Sequence, residues 1–406
     1  MNRKLIKYST LSIIILLLLQ ANWVNAQKNK TGKIPVIVIT DLYHPFQDPG
    51  DNLDLIMGYA LPEIDLKAII LDITDNFRKK TADHPTLWKD PRGPREAGII
   101  PITQLNYLFN KQVPYALGPM SMMKDEKDLM YYLPIQQQEG VNLLLNTLRK
   151  STKPVVILSF GSTRVLAVAY NREPALMRSK ISKIHVSGGT ASHHFRLGSD
   201  RGANAIPGGE WNVALDVFAF TRLMRSDLPL AIYPCAGVDG AFVKDNNTTY
   251  WQLPDVSFVK KMDVRLQRYL QYAFLKTLRY DFLRAMDYDD PKSVIAIDSF
   301  PKPFHIWETA LWMNVSGRKL VYTSQGAYKI INANELTTTD RVVKEQLITC
   351  VLNVRDDGRF DFTPTGKPTN FSIYYRENPE VYEKALQEAL PAFYASLTID
   401  KNPPKK

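Results

Sequence analysis

Cysteine is scarce in this chain: only Cys235 and Cys350 occur among 406 residues. That excludes a disulfide-stapled scaffold and any zinc module built on clustered cysteines; whether the two meet is open at this level. Blocks of like charge are missing as well. The net charge is +10, but Lys and Arg are scattered and form no basic stripe with interleaved aromatics, which argues against a nucleic-acid-binding surface. There is no internal repeat, no low-complexity tract and no clear linker, so one domain is expected. Beyond the N-terminus no run approaches the about 20 apolar residues that cross a bilayer. No G-x-S-x-G element announces a Ser-His-Asp hydrolase. Gly188-Gly189 is too short a motif for phosphate binding, and His193-His194 are adjacent, so their rings point apart and do not share a metal.

What is present is an ordinary globular composition, 45% apolar and 23% charged, ample for a core. Residues 1–26 carry Arg3, Lys4 and Lys7, then the apolar run Leu11–Leu19, then Val24-Asn25-Ala26. This is the three-part pattern of a secretory signal, and cleavage after Ala26 is expected, with export to the periplasm or the exterior. The apolar stretch is too short for an anchor.

From there, short apolar runs alternate with helical stretches. PVIVIT (35–40), LKAIIL (66–71), VPYAL (113–117), PVVILSF (154–160), the stretch 183–186 and 229–233 read as strands. Helices are expected between them: 53–61, 102–109, 140–150, 164–170 and 217–224. The fold class that follows is α/β, a mostly parallel sheet flanked by helices with a Rossmann-like core. Residues 256–286 carry apolar side chains at helical spacing and read as one long helix. Residues 347–375 read as β structure around an Asp357-Gly358 turn, and 379–397 as a closing helix. The domain is thus expected over residues 27–398, with its core at about 33–320 and a small β-rich C-terminal extension at about 335–398.

In parallel sheets ligands bind beyond the C-terminal ends of the strands. There, Asp41, Asp48, Asp51 and Asp54 crowd with Asn52 into 14 positions after the first strand. Like charges this close need a cation, a proton or good solvation. Oxygen ligands on a loop suit Ca²⁺ or Mg²⁺; equally, Asp51-Asn52 alone would cap the following helix, with the rest a turn.

Further pieces stand in a fixed order: Pro62-Glu63-Ile64-Asp65-Leu66, PVVILSFGSTRVLA (154–167), IHVSGG (184–189), and Asn204-Ala205-Ile206-Pro207-Gly208-Gly209-Glu210-Trp211-Asn212 followed by Asp216. Together with the strand ending at Asp41, this arrangement resembles the nucleoside hydrolase (N-ribohydrolase) family, over roughly residues 33–320. The resemblance implies a Ca²⁺-dependent hydrolase that cleaves the N-glycosidic bond of nucleosides or related N-ribosides. It implies Asp41 as metal ligand and as base for the attacking water. Asp51, Asn76, Asn204, Glu210 and Asn212 fall on ribose-binding positions. Asn52 stands where the family has a chelating aspartate, with Asp48 or Asp54 as compensating acids. A backbone carbonyl near Arg164 and the late acid Glu308 complete the metal set. His305 falls where some members protonate the leaving base; a satisfied loop histidine is the other reading. The altered positions, Asn52, the Ser162-Thr163-Arg164 turn and the His305–Glu308 segment, keep a second reading in play: a non-catalytic relative binding a ribose- or sugar-like ligand. The resemblance allows a homodimer or homotetramer.

Overall fold

In the computed structural model, residues 32–42, 49–72, 74, 98–190, 210–238, 240–274, 281–287 and 303–399 are described. The candidate signal at 1–26, Asp48, Asn76 and Asn204 lie outside them.

The strands are β1 (Ile34–Thr40), β2 (Ile64–Leu71), β3 (Tyr115–Leu117), β4 (Val155–Phe160), β5 (Ile181–Ser187), β6 (Leu230–Tyr233), β7 (Trp251–Leu253), β8 (Phe304–Ile306), β9 (Arg318–Tyr322), β10 (Tyr328–Asn332), β11 (Arg341–Val342), β12 (Glu345–Val354), β13 (Phe360–Pro364) and β14 (Phe371–Arg376). The helices are α1 (Pro49–Ala60), α2 (Ile99–Leu108), α3 (Glu139–Lys150), α4 (Arg164–Arg172), α5 (Pro174–Lys180), α6 (Trp211–Leu215), α7 (Val217–Met224), α8 (Val264–Phe274), α9 (Thr309–Ser316) and α10 (Pro379–Ser396). Nine strands form one sheet in the order β13-β12-β14-β6-β5-β4-β1-β2-β3. Its pairings are parallel except those made by β12, which runs against both of its neighbours.

The continuous apolar runs have a simple cause. Val36 and Val38 enter one core together with residues of α1, α2, α8, α9 and α10. Ile37 and Ile39, on the opposite face, enter a second core with residues of α3, α4 and α7. A strand buried on both faces cannot alternate apolar with polar.

The β-rich C-terminal segment joins the main sheet: β14 pairs parallel with β6, and β12 and β13 continue it. Two expectations change. Helix α1 starts at Pro49, so Asp51 and Asn52 lie in its first turn instead of capping it. Proline suits a first helical position because its missing N–H would be unpaired there anyway. Residues 256–286 are not one helix. A short 3₁₀ turn, Ser257–Lys261, ends at extended Met262, and Asp263 then accepts the Arg265 backbone N–H at 2.9 Å and starts α8 afresh. Apolar periodicity is indifferent to such a break; the capping aspartate imposes it. Cys235 and Cys350 are both free and buried.

Candidate active site

Parallel register brings the site together. Thr40 pairs with Leu71 on one side and Phe160 on the other, so Asp41, Asp72 and Gly161 leave the sheet side by side. The Thr40 hydroxyl donates to Asp51 Oδ2 at 2.8 Å, tying β1 to the first turn of α1. Asp41 is half-buried, and the Trp211 indole N–H reaches its Oδ2 at 3.3 Å.

Two strands along, β5 ends at Ser187 and turns through Gly188-Gly189. Gly189 has φ +88°, and a Cβ there would lie 2.7 Å from the Phe360 ring and 2.9 Å from Phe220. Only glycine fits both the left-handed backbone and the space. The turn aims the Gly189 N–H at Glu210 Oε2, 2.8 Å away. Glu210 also caps α6 by accepting from the backbone N–H groups of Asn212 and Val213. Burial pushes its carboxyl pKa up, and the backbone amides around it oppose that. Asn212 Nδ2 donates to the Ser187 carbonyl at 3.0 Å. The Ser187 hydroxyl donates to Glu308 Oε1 at 3.2 Å and lies 3.2 Å from Cys235 Sγ. Burial drives the Cys235 thiol pKa well up, and the charges of Glu210, Glu308 and Asp41 add to the shift.

His305, on β8, sits in an aromatic group beside this cluster. Its Nδ1 lies 2.8 Å from the Tyr250 hydroxyl, and the two rings stack. Phe242 and Trp307 pack edge-on and tilted against them, and the Trp307 indole N–H donates to the Cys235 carbonyl at 2.9 Å.

The remaining expected residues take other places. Asn52 is fully buried, and its Oδ1 accepts from the Tyr269 hydroxyl at 2.7 Å. Asp54 accepts from Tyr394 at 2.7 Å and from Thr309. Arg164, read for its carbonyl, has a side chain with a role of its own. It is fully buried, pairs through Nε with Asp216 at 2.7 Å, and donates to Pro119 O, Thr74 Oγ1 and Leu215 O. Its Nη1 lies 3.7 Å from Asp72 Oδ1, an oxygen that has no hydrogen-bond partner among the described residues. Asp72, Ser187, Trp211, Cys235 and Tyr250 were given no site role from sequence. Asp72 carried the same signal as Asp41, an acid directly after a buried apolar run; the others are defined by neighbours distant in sequence.

Calcium needs six to eight oxygens. Among the described residues no three His, Cys, Asp or Glu come together as a metal group. The Asn52 oxygen is taken by Tyr269, so the described donors do not by themselves make a cage.

Comparison with known proteins adds to this geometry. No family model matches the chain. It is 29% identical over 198 residues to the pyrimidine-specific ribonucleoside hydrolase RihA of Salmonella enteritidis, and equally to that of Salmonella typhi. Over this stretch the chain is similar to ribonucleoside hydrolases. The match spans 47% of this chain and 58% of the length of these curated relatives. Among solved structures, a purine-preferring ribonucleoside hydrolase from Gardnerella vaginalis aligns at TM-score 0.48 and 14% identity, over 90% of this chain and 100% of that one. A plant nucleoside hydrolase aligns at TM-score 0.48 and 15% identity, over 89% and 100%. At the C-terminal end of this chain β12, β13 and β14 join the main sheet, and α10 follows them.

Proposed function

We propose that this chain cleaves the N-glycosidic bond of nucleosides or related N-ribosides with an activated water. The observation that carries the reading is the polar set at the C-terminal ends of β1 and β5: Asn212 and Glu308 on Ser187, Glu210 on the turn that follows it, and Asp41 tied through Trp211 to the same helix start. Such cleavage passes through an oxocarbenium-like state, which carboxylates nearby stabilise. Asp41, the half-exposed acid of the group, is assigned the proton of the attacking water. Glu210 and Asn212 are assigned the sugar hydroxyls, together with Asp51 and with Asn76 and Asn204, which lie outside the described residues. His305 is assigned protonation of the leaving group, and the rings of Phe242, Tyr250 and Trp307 give a planar base an apolar surface.

Calcium is proposed as cofactor on Asp41 and Glu308 with Asp48, Asn52 and the carbonyl near Arg164; when bound it would lower the pKa of the water. The described donors by themselves leave its cage open. Export through cleavage after Ala26 is likewise proposed. The engagement of Asn52 with Tyr269 favours the second reading, a non-catalytic protein that binds a ribose- or sugar-like ligand.

The deciding experiment is ribose release by the purified chain from a panel of purine and pyrimidine nucleosides, with added Ca²⁺ and with chelator. Release that Asp41→Ala lowers at least about a hundredfold supports hydrolysis; loss with chelator supports the cation. No release from any nucleoside by folded protein with Ca²⁺ leaves the binding reading.

A further inference from the structure

The C-terminal elements do more than widen the sheet. Segment 244–252 runs beside the candidate site and carries Tyr250, the partner of His305. It is held from the C-terminal side along its whole length. Arg376, the last residue of β14, is fully buried, and its guanidinium donates to Asp245 O at 3.1 Å, Thr248 Oγ1 at 3.2 Å and Tyr250 O at 3.0 Å. Its backbone N–H donates to Asn246 O at 2.8 Å, and its carbonyl accepts from Asn246 Nδ2 at 2.9 Å. From α10, Glu383 accepts the Gln252 backbone N–H at 2.8 Å and pairs with Lys244, while Gln387 donates to Gln252 O at 2.7 Å. Both ends and the middle of the segment are thereby fixed.

Among the described residues Arg376 makes no ion pair with a carboxylate, and its Nη1 has no hydrogen-bond partner. A buried charge facing mainly backbone carbonyls is costly. Where a neutral residue would be cheaper for stability, the gain lies in the geometry it imposes. On its other side the same segment offers that geometry to His305: Gln252 Nε2 donates to the Tyr250 oxygen at 2.7 Å, and the Tyr250 oxygen lies 2.8 Å from His305 Nδ1.

We propose that Arg376, through segment 244–252, is a positioning residue for the Tyr250–His305 pair. With the Gln252 amide donating to the Tyr250 oxygen, the phenol hydrogen is directed at Nδ1, and the ring proton resides on Nε2. Releasing the segment opens the pair and lets both tautomers form. The catalytic consequence rests on the hydrolase reading; the tautomer does not.

The test combines ¹⁵N imidazole spectra of the full chain, with His305 assigned through His305→Gln, and nucleoside kinetics. The variants are Tyr250→Phe, Arg376→Lys and their combination. Wild type is expected to show the Nε2–H signature alone at His305, and each single variant to show it mixed with the Nδ1–H form. Arg376→Lys is expected to lower kcat about tenfold with KM within about twofold, and the combination to be no worse than Tyr250→Phe alone, because residues acting through one group are not additive. A wild-type His305 spectrum in folded Arg376→Lys, with only the melting temperature lowered, overturns the proposal. Should Arg376→Lys fail to fold, Gln387→Ala is expected to shift the spectrum in the same direction by less, and an unchanged spectrum there overturns it too. Ribose release by no variant, wild type included, with the tautomer shift present, rejects the hydrolase reading and upholds the positioning role.

Discussion

Arg164 shows how much one side chain decides here. It joins the loops after β2, β3 and β4 to the α6–α7 junction, through Thr74, Pro119, Leu215 and Asp216. These four partners and the arginine cluster at the ends of parallel strands, where the guanidinium offsets the charge of the buried acids Asp216 and Asp72. Breaking a buried pair from one side leaves an uncompensated charge. Arg164→Met is therefore expected to lower unfolding stability by about 3–5 kcal/mol in urea titration. A loss under about 1 kcal/mol, the range of a surface pair, would mean that the guanidinium is hydrated and its ties to the loops are weak.

At the scale of elements, the turn after β5 links packing to chemistry. Gly189 is pressed between Phe360 of β13 and Phe220 of α7, and its N–H orients Glu210. A methyl group there meets both rings and forces a strained backbone. Gly189→Ala is expected to cost about 2–4 kcal/mol, the sum of overpacking and left-handed strain, read as a fall in melting temperature. The folded fraction should also lose ribose release, because Glu210 moves with the turn. A stable, fully active variant would show that Glu210 is held by its own helix alone. The same turn explains why β13 belongs to the domain: its Phe360 fills the space that the glycine leaves.

At the scale of the molecule, pH stability reports on the buried sheet. His185 on β5 is buried against Tyr233, whose hydroxyl lies 3.0 Å from its Nδ1. Burial, with a smaller contribution from Lys183, lowers its pKa from 6.5 to about 3. The folded state thus binds fewer protons than the unfolded chain between these values. Stability is full above pH 6.5 and falls as the pH drops towards 3, by a few kcal/mol at most from this group. Glu210 and Glu345, whose pKa values burial raises, act in the opposite direction. The clean measurement is the difference between wild type and His185→Gln: the variant is expected to lose less stability on acidification across that window. Identical pH profiles would mean that His185 titrates normally in the folded state.

The sequence alone determined the fold class, the parallel strands and most helices, because a strand buried on both faces writes a continuous apolar run and a surface helix writes its period. The end of an apolar run pointed to Asp41; Glu210, Asn212 and Glu308 were marked only through the resemblance to nucleoside hydrolases. Tertiary structure alone decided what could not be local. It joined the C-terminal strands to β6, because strand pairing is a relation between distant segments. It broke the helix expected over 256–286 at Asp263, since apolar spacing cannot see an interruption that preserves it. It turned Asn52 towards Tyr269, enclosed Arg164 between Asp72 and Asp216, and set Tyr250 against His305. Each of these contacts spans more than 50 positions, and only packing chooses which buried polar groups find one another.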